Sequence, residues 1–320
     1  MYLIRKVTAY FQRYFSYTRR YALFKNQTVR SPKLPFFLNR ISEANNYLSH
    51  LLFVLEQFDL DNNSLLTNKK RQSELTTVVF KNNKQAKIHN VKLSFLNEQK
   101  NESIDFLKNT VFININTQFE VYLKNIYLFK KENFDANLKE LNKFKVYETF
   151  IENLGLSNKL SELNKSTYDY FVLRRNALVH RDKTKLHQGE FADKIKSDGK
   201  VLNRNWKNYS KEIKNNNLKS HTVDNFNFST KNVNTFNFDE LISTMNFYRL
   251  FSMEIDNLIV KELNNDCIHK YLFTKFKTIY PDIETFNIFS KKFSHFSNSE
   301  LNLEIKPKEL EKIWNRSSVG

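Results

Sequence analysis

The 320-residue chain contains only four glycines, four prolines and one cysteine. Glycine and proline punctuate turns, so their scarcity predicts few tight turns and long helices. It also excludes the glycine-rich loops that cradle phosphates in P-loop and dinucleotide-binding proteins. The lone Cys267 excludes a disulfide framework within the chain and a cysteine-built zinc site, and it fits a reducing cytoplasm. No stretch reaches the ~18 uncharged apolar residues of a membrane span. No set of His, Asp and Glu has metal-ligand spacing, so neither a metal nor another cofactor is expected.

What is abundant is aromatic and basic. Thirty Phe, 15 Tyr and a 40% hydrophobic content can fill a sizeable core, which sets the chain apart from disordered compositions. The formal net charge is +17. Such a field attracts polyanions, nucleic acid first among them, although charge does not separate a nuclease from a passive binder.

Residues 1–40 hold nine Lys or Arg and no acid; Glu43 is the first carboxylate. Ile4, Val7, Phe11, Tyr14 and Phe15 recur at helical spacing among basic residues, predicting a basic amphipathic helix. That pattern is compatible with contact to RNA or an anionic membrane surface, with a transit peptide, and with a helix packed on the protein and solvated on its basic face. SPKLP at 31–35 predicts a break, followed by a helix from about Ser42 to Phe58. Val78, Val79 and Phe80, a polar turn at Asn82 and Asn83, and alternating Val91, Leu93 and Phe95 are compatible with a small β-hairpin.

A long helix is predicted from Ser103 to Lys131, with Phe106, Val111, Ile115, Phe119, Tyr122, Leu123 and Ile126 as its apolar stripe and Glu120 beside it. Another runs from about Asn137 to Leu154, stopped by Gly155. Ser166 and Asp169 have capping-box spacing, which starts the next helix near Thr167. Residues 183–237, rich in Lys and Asn and containing the repetitive NFNFSTKNVNTFNF, read as an irregular insertion. A helix returns from Asp239 to Leu263, and 266–320 hold two shorter ones.

Arg followed four to six residues later by His occurs three times, and a chain of this composition contains about one such pair by chance. Requiring Asn directly after the Arg leaves only Arg175, Asn176 and His180, in the stretch RRNALVHRD. On a helix, Tyr168, Phe171, Val172, Leu178 and Val179 form an apolar face with Arg175 in its middle. A charge there is costly unless compensated by an acid such as Glu120, a subunit interface or a bound phosphate. Asn176 lies one turn before His180 and is placed to orient the imidazole or its ligand. Five residues of ideal helix turn Arg175 and His180 about 140° apart and separate them by about 7.5 Å. To act on one target the Arg must bend round, the helix must end near His180, or a second copy must complete the site. Arg174 and Arg181 are either RNA-facing or simply solvated. His187, His221 and His50 lack a supporting constellation and read as surface residues.

RRNALVHRD resembles the signature of the HEPN superfamily, whose nucleolytic members carry Arg, a polar residue such as Asn, and then His. QFEVYLKNIYLF resembles the first half of such domains, and DELISTMNFYRLFSMEIDNLIV the helix that closes them. The expected fold is therefore mainly α: a HEPN-like helical bundle over 100–265 interrupted by the 183–237 insertion. A basic helical extension with the hairpin covers 1–99, and a helical extension covers 266–320. The resemblance implies a dimer with both motifs in a shared cleft, acting as a metal-independent endoribonuclease. In that chemistry the ribose 2′-OH attacks the adjacent phosphate, leaving a 2′,3′-cyclic phosphate and a 5′-OH. It makes His180 the general acid or base, Arg175 the stabiliser of the phosphorane and Asn176 their positioner. It further implies RNA as substrate, with tRNA as a candidate, a toxin or antiphage role in the cytoplasm, and an antitoxin or defence-system partner. Relatives that have lost catalysis and only bind RNA or protein keep a second reading open.

Overall fold

In a computed structural model of the chain, residues 29–180, 184–215, 222–230 and 234–317 are described. The predicted basic helix at 1–25 lies outside them, as does Arg181. The described residues fall into two units, one built on 33–258 and the other on 29–32 with 259–317.

The larger unit begins where a break was expected. Helix α1 (Lys33–Leu66) starts inside the SPKLP stretch. Pro35 lies in its first turn, where backbone N–H groups have no intrahelical acceptor and a proline is tolerated. Leu34, Phe37, Leu38, Ile41 and Leu48 are buried. The helix also runs past Phe58 through polar residues, which occupy its solvent side; Gln57 donates to Asp61 at 2.7 Å.

The expected hairpin does not form. Thr76–Val79 is a single helical turn, α2, and Lys84–Lys87 a turn of 3-10 helix. Among the described residues the only pairing of strand type is an isolated antiparallel bridge between Leu75 and Lys92. Asn83 caps Gln85 instead of making a hairpin turn, its side chain accepting from that N–H at 2.9 Å. A two-stranded ribbon with no third strand or covering face is marginal in water. Val78 and Ile88 are indeed left 53% and 81% exposed, so no face forms that would hold one.

Helix α3 (Leu93–Asn133) is 41 residues long and packs along α1. Helix α4 (Val146–Asn153) is shorter than predicted and ends as its sequence demands. Gly155 takes φ +59°, and the Gly155 and Leu156 N–H groups donate to Glu152 and Ile151 carbonyls at 3.1 and 2.9 Å. That is a Schellman closure, open to glycine because it has no Cβ. Helix α5 (Glu162–Val179) carries the motif. It starts one turn before the predicted capping box, since Glu254 replaces the box: its carboxylate accepts from Ser161 N at 2.8 Å and Asn164 Nδ2 at 2.6 Å.

The expected irregular insertion is largely helical in its described parts. Helix α6 (Thr184–Lys194) passes through a π turn (Ile195–Gly199) into helix α7 (Lys200–Asn215). Trp206 of α7 donates its indole N–H to Thr167 Oγ1 of α5 at 2.9 Å. The repetitive stretch that follows is core material: Phe226, Phe228 and Phe236 are at most 3% exposed. Phe226 and Phe228 lie against Tyr170 and Phe171, with ring centroids 5.0–5.9 Å apart. The segment folds through two turns, with the Phe226 N–H donating to the Val223 carbonyl at 3.1 Å and the Thr230 N–H to the Asn227 carbonyl at 3.3 Å.

Helix α8 (Phe238–Lys261) closes the unit. Leu241, Met245, Phe247, Tyr248, Phe251 and Ile255 are fully buried. Phe119 of α3 sits at the centre, within 4.8–5.4 Å of the rings of Tyr168, Tyr248 and Phe251. The phenylalanine-rich composition is thus spent on one aromatic core shared by α3, α5 and α8.

The smaller unit holds three helices where two were expected: α9 (Asn265–Ile279), α10 (Phe286–Leu301) and α11 (Pro307–Ser317). Phe276, Phe289, Phe293 and Trp314 form its core. Asn302 in the left-handed region ends α10. Among the described residues no helix is long and apolar enough to cross a membrane.

Candidate active site at the end of helix α5

The last turns of α5 place two consecutive arginines in opposite environments. Arg174 shares a face with Tyr170, Phe171 and Ala177, at the three- and four-residue spacings that stack along a helix. All four are buried, and Arg174 is 0% exposed. Its guanidinium lies 3.7 Å from the Phe236 ring centroid and 5.5 and 5.9 Å from those of Phe226 and Phe112. Nη2 donates to the Thr235 carbonyl at 2.8 Å, while Nε and Nη1 have no hydrogen-bond partner. Burial pushes the pKa of Arg174 down, yet arginine remains a cation in proteins. The cost of that charge is offset by π faces in place of water. The expectation of an RNA-facing Arg174 is corrected by this burial, and the charge inside the apolar face belongs to Arg174 rather than Arg175.

Arg175, turned about 100° further round the helix, is half-buried, with 22% of its side chain exposed. Nη1 donates to Glu120 Oε1 of α3 at 2.7 Å. Nε and Nη2 donate to Asn176 Oδ1 at 3.3 and 3.1 Å. A guanidinium has five N–H groups, so these three bonds leave one N–H on Nη1 and one on Nη2 for a ligand. Asn176 therefore positions the arginine. Beneath the pair, burial raises the hydroxyl pKa values of Tyr168 and Tyr248 well above the ordinary phenol range. Both stay neutral, and neither can serve as a base near neutral pH.

His180 ends the helix. It is the C-cap residue, with φ −92° and ψ 76°, and its N–H makes the last helical bond to the Asn176 carbonyl at 3.0 Å. Its side chain is exposed. The helix does end at His180, while the Arg175 guanidinium is turned to Glu120 and Asn176. His187, expected as an isolated surface residue, instead lies near His180: the ring centroids are 5.2 Å apart and the planes inclined by 40°. His187 Nδ1 is 3.1 Å from Glu190 Oε2. The one sequence signal for this pair was the third of the three Arg-to-His spacings, from Arg181 to His187.

A cavity of about 560 Å³ lies between α1 and α3, lined by Leu55, Phe58, His89, Leu96, Gln99 and Phe106 among others. It holds none of the motif residues. Among the described residues no three His, Cys, Asp or Glu side chains are grouped to hold a metal. Comparison of the chain with family models, with curated proteins and with solved structures returns no match.

Proposed function

We propose that the chain is a metal-independent endoribonuclease of the HEPN kind, cutting RNA by attack of a ribose 2′-OH on the adjacent phosphate. The observation that carries the reading is the state of Arg175. Glu120 and Asn176 hold its guanidinium, two N–H groups remain unused, and the same helix ends at an exposed histidine. A preorganised arginine stabilises charge that develops on a phosphorane. The histidine at the helix end is the side chain that moves the proton. Asn176 and Glu120 fix the arginine. The net charge of +17 draws the polyanion in. A homodimer, a tRNA substrate, a toxin or antiphage role in the cytoplasm and an antitoxin or defence partner extend the same reading.

The test is incubation of the full chain and of His180→Ala with total RNA and purified tRNA, in EDTA, with mapping of the ends. The expected outcome is cleavage by the wild type to 2′,3′-cyclic phosphate and 5′-OH ends, and none by a folded His180→Ala protein. Equal cleavage by both would sink the proposal.

A second reading, a non-catalytic module that binds RNA or a partner protein, is favoured by the Glu120 contact, which neutralises Arg175 in the ligand-free chain. It expects intact RNA to be recovered from a complex whose affinity falls steeply with salt.

A further inference from the structure

Cleavage by a 2′-OH moves two protons at two oxygens. The 2′-O loses a proton as its bond to phosphorus forms, and the 5′-O gains one as its bond to phosphorus breaks. One imidazole cannot hold both oxygens in the same step, so the reaction gains from a second acid–base group. Arg175 cannot supply it, because a guanidinium does not release its proton. The buried phenols of Tyr168 and Tyr248 are held neutral.

We propose that His187, held by Glu190, is the second acid–base residue of the site, sharing the two proton transfers with His180 of the same chain. The inference rests on the ribonuclease reading above. Three observations carry it. The two rings lie 5.2 Å apart at centroids, so a phosphodiester at the His180 ring is within side-chain reach of His187. The Glu190 carboxylate can only accept, so His187 Nδ1 must be the donor in their 3.1 Å contact. That assignment leaves Nε2 as the working nitrogen, either with a lone pair or with a proton to give. Finally, the carboxylate sits three residues along α6 from His187, one turn away, so a regular helix keeps the pair aligned.

The step balances. One imidazole takes the 2′-OH proton as the 2′-O–P bond forms. The other, protonated beforehand, gives its proton to the 5′-O as the P–5′-O bond breaks. The products are the 2′,3′-cyclic phosphate, the 5′-OH and a histidine pair with its protons exchanged, which water restores.

The test compares the full-length wild type, His180→Ala, His187→Ala, His187→Gln and Glu190→Gln on two oligoribonucleotides, one ordinary and one with sulfur in place of the bridging 5′-oxygen. A thiolate leaves without being protonated, so the sulfur substrate dispenses with the acid and keeps the need for the base. On the ordinary substrate each His187 variant is expected to lose about 10²–10⁴-fold, the range of general acid–base catalysis, and Glu190→Gln a smaller factor. On the sulfur substrate one of His180→Ala and His187→Ala recovers and the other does not; the one that recovers has lost the acid. Circular dichroism and the melting temperature establish that each variant is folded. Wild-type rates for folded His187 variants, or equal responses of both alanine variants to sulfur, overturn the inference while leaving a ribonuclease dependent on His180 standing. Absence of cleavage by the wild type itself removes the ribonuclease reading, and this inference with it.

Discussion

Arg175 Nη1 lies 2.7 Å from Glu120 Oε1, which ties the motif helix to the longest helix among the described residues and compensates the arginine before any ligand arrives. Glu120→Gln keeps an oxygen acceptor and removes the opposing charge. RNA affinity is expected to rise by about threefold, the ~0.5–1 kcal/mol scale of a half-exposed ion pair. Arg175→Lys keeps the charge and loses the planar fork, so cleavage is expected to fall about 100-fold. Fluorescence anisotropy and end-labelled cleavage assays read the two effects. Unchanged affinity in Glu120→Gln would show that the carboxylate does not restrain the arginine.

Arg174 makes a contrasting prediction. Its charge is held by aromatic faces and one carbonyl, with two nitrogens unpaired. Replacing a buried charge with an apolar side chain of similar length is often neutral or stabilising. Arg174→Met is therefore expected to unfold at a denaturant midpoint no lower than the wild type. Arg174→Ala empties the aromatic cage and costs about 2–5 kcal/mol. Equal losses in both variants would mean that the cation itself is required.

Two glycines of the α6–α7 region separate packing from propensity. A Cβ on Gly199 would come within 2.6 Å of the Phe228 carbonyl oxygen, a backbone atom that cannot swing aside. Gly199→Ala is expected to destabilise by about 1–3 kcal/mol. Gly189 lies in α6 with nothing within 4 Å of that position. Gly189→Ala is expected to stabilise by up to about 1 kcal/mol. Thermal unfolding of the two variants reads opposite shifts, and a neutral Gly199→Ala would place Phe228 elsewhere.

The parts of the fold legible in the sequence are those whose signals are local. The stripe through Phe119 and Tyr122 marks α3, the run from Leu241 to Leu258 marks α8, and Gly155 ends α4 as its conformational freedom predicts. Asn176 beside Arg175 and one turn before His180 is likewise contained within a single helix. What escaped depends on chain far away. Which arginine is buried is decided by Phe226 and Phe236, more than 50 residues later, which cover the Arg174 side of α5. A phenylalanine–asparagine repeat carries no helical period, so its place in the core could not be read from spacing. His187 and Glu190 reach His180 only because the chain leaves α5 at His180 and enters a new helix at Thr184. The Glu254 carboxylate that starts α5 comes from another helix and has no counterpart in a local capping pattern.

His180 stands at the C-terminal end of its helix, the end whose unpaired carbonyls carry the negative pole of the backbone dipole. Helices that bind phosphate passively present the opposite end. An anion arriving at His180 therefore meets an opposing field of about 0.3–1 kcal/mol. On the proposed reading, intact RNA is expected to be gripped loosely here, its hold coming from basic surface away from the helix end. On the same reading, the polarity of α5 sets this helix end apart from the phosphate-docking end of other helices and leaves the hold on RNA to other surfaces.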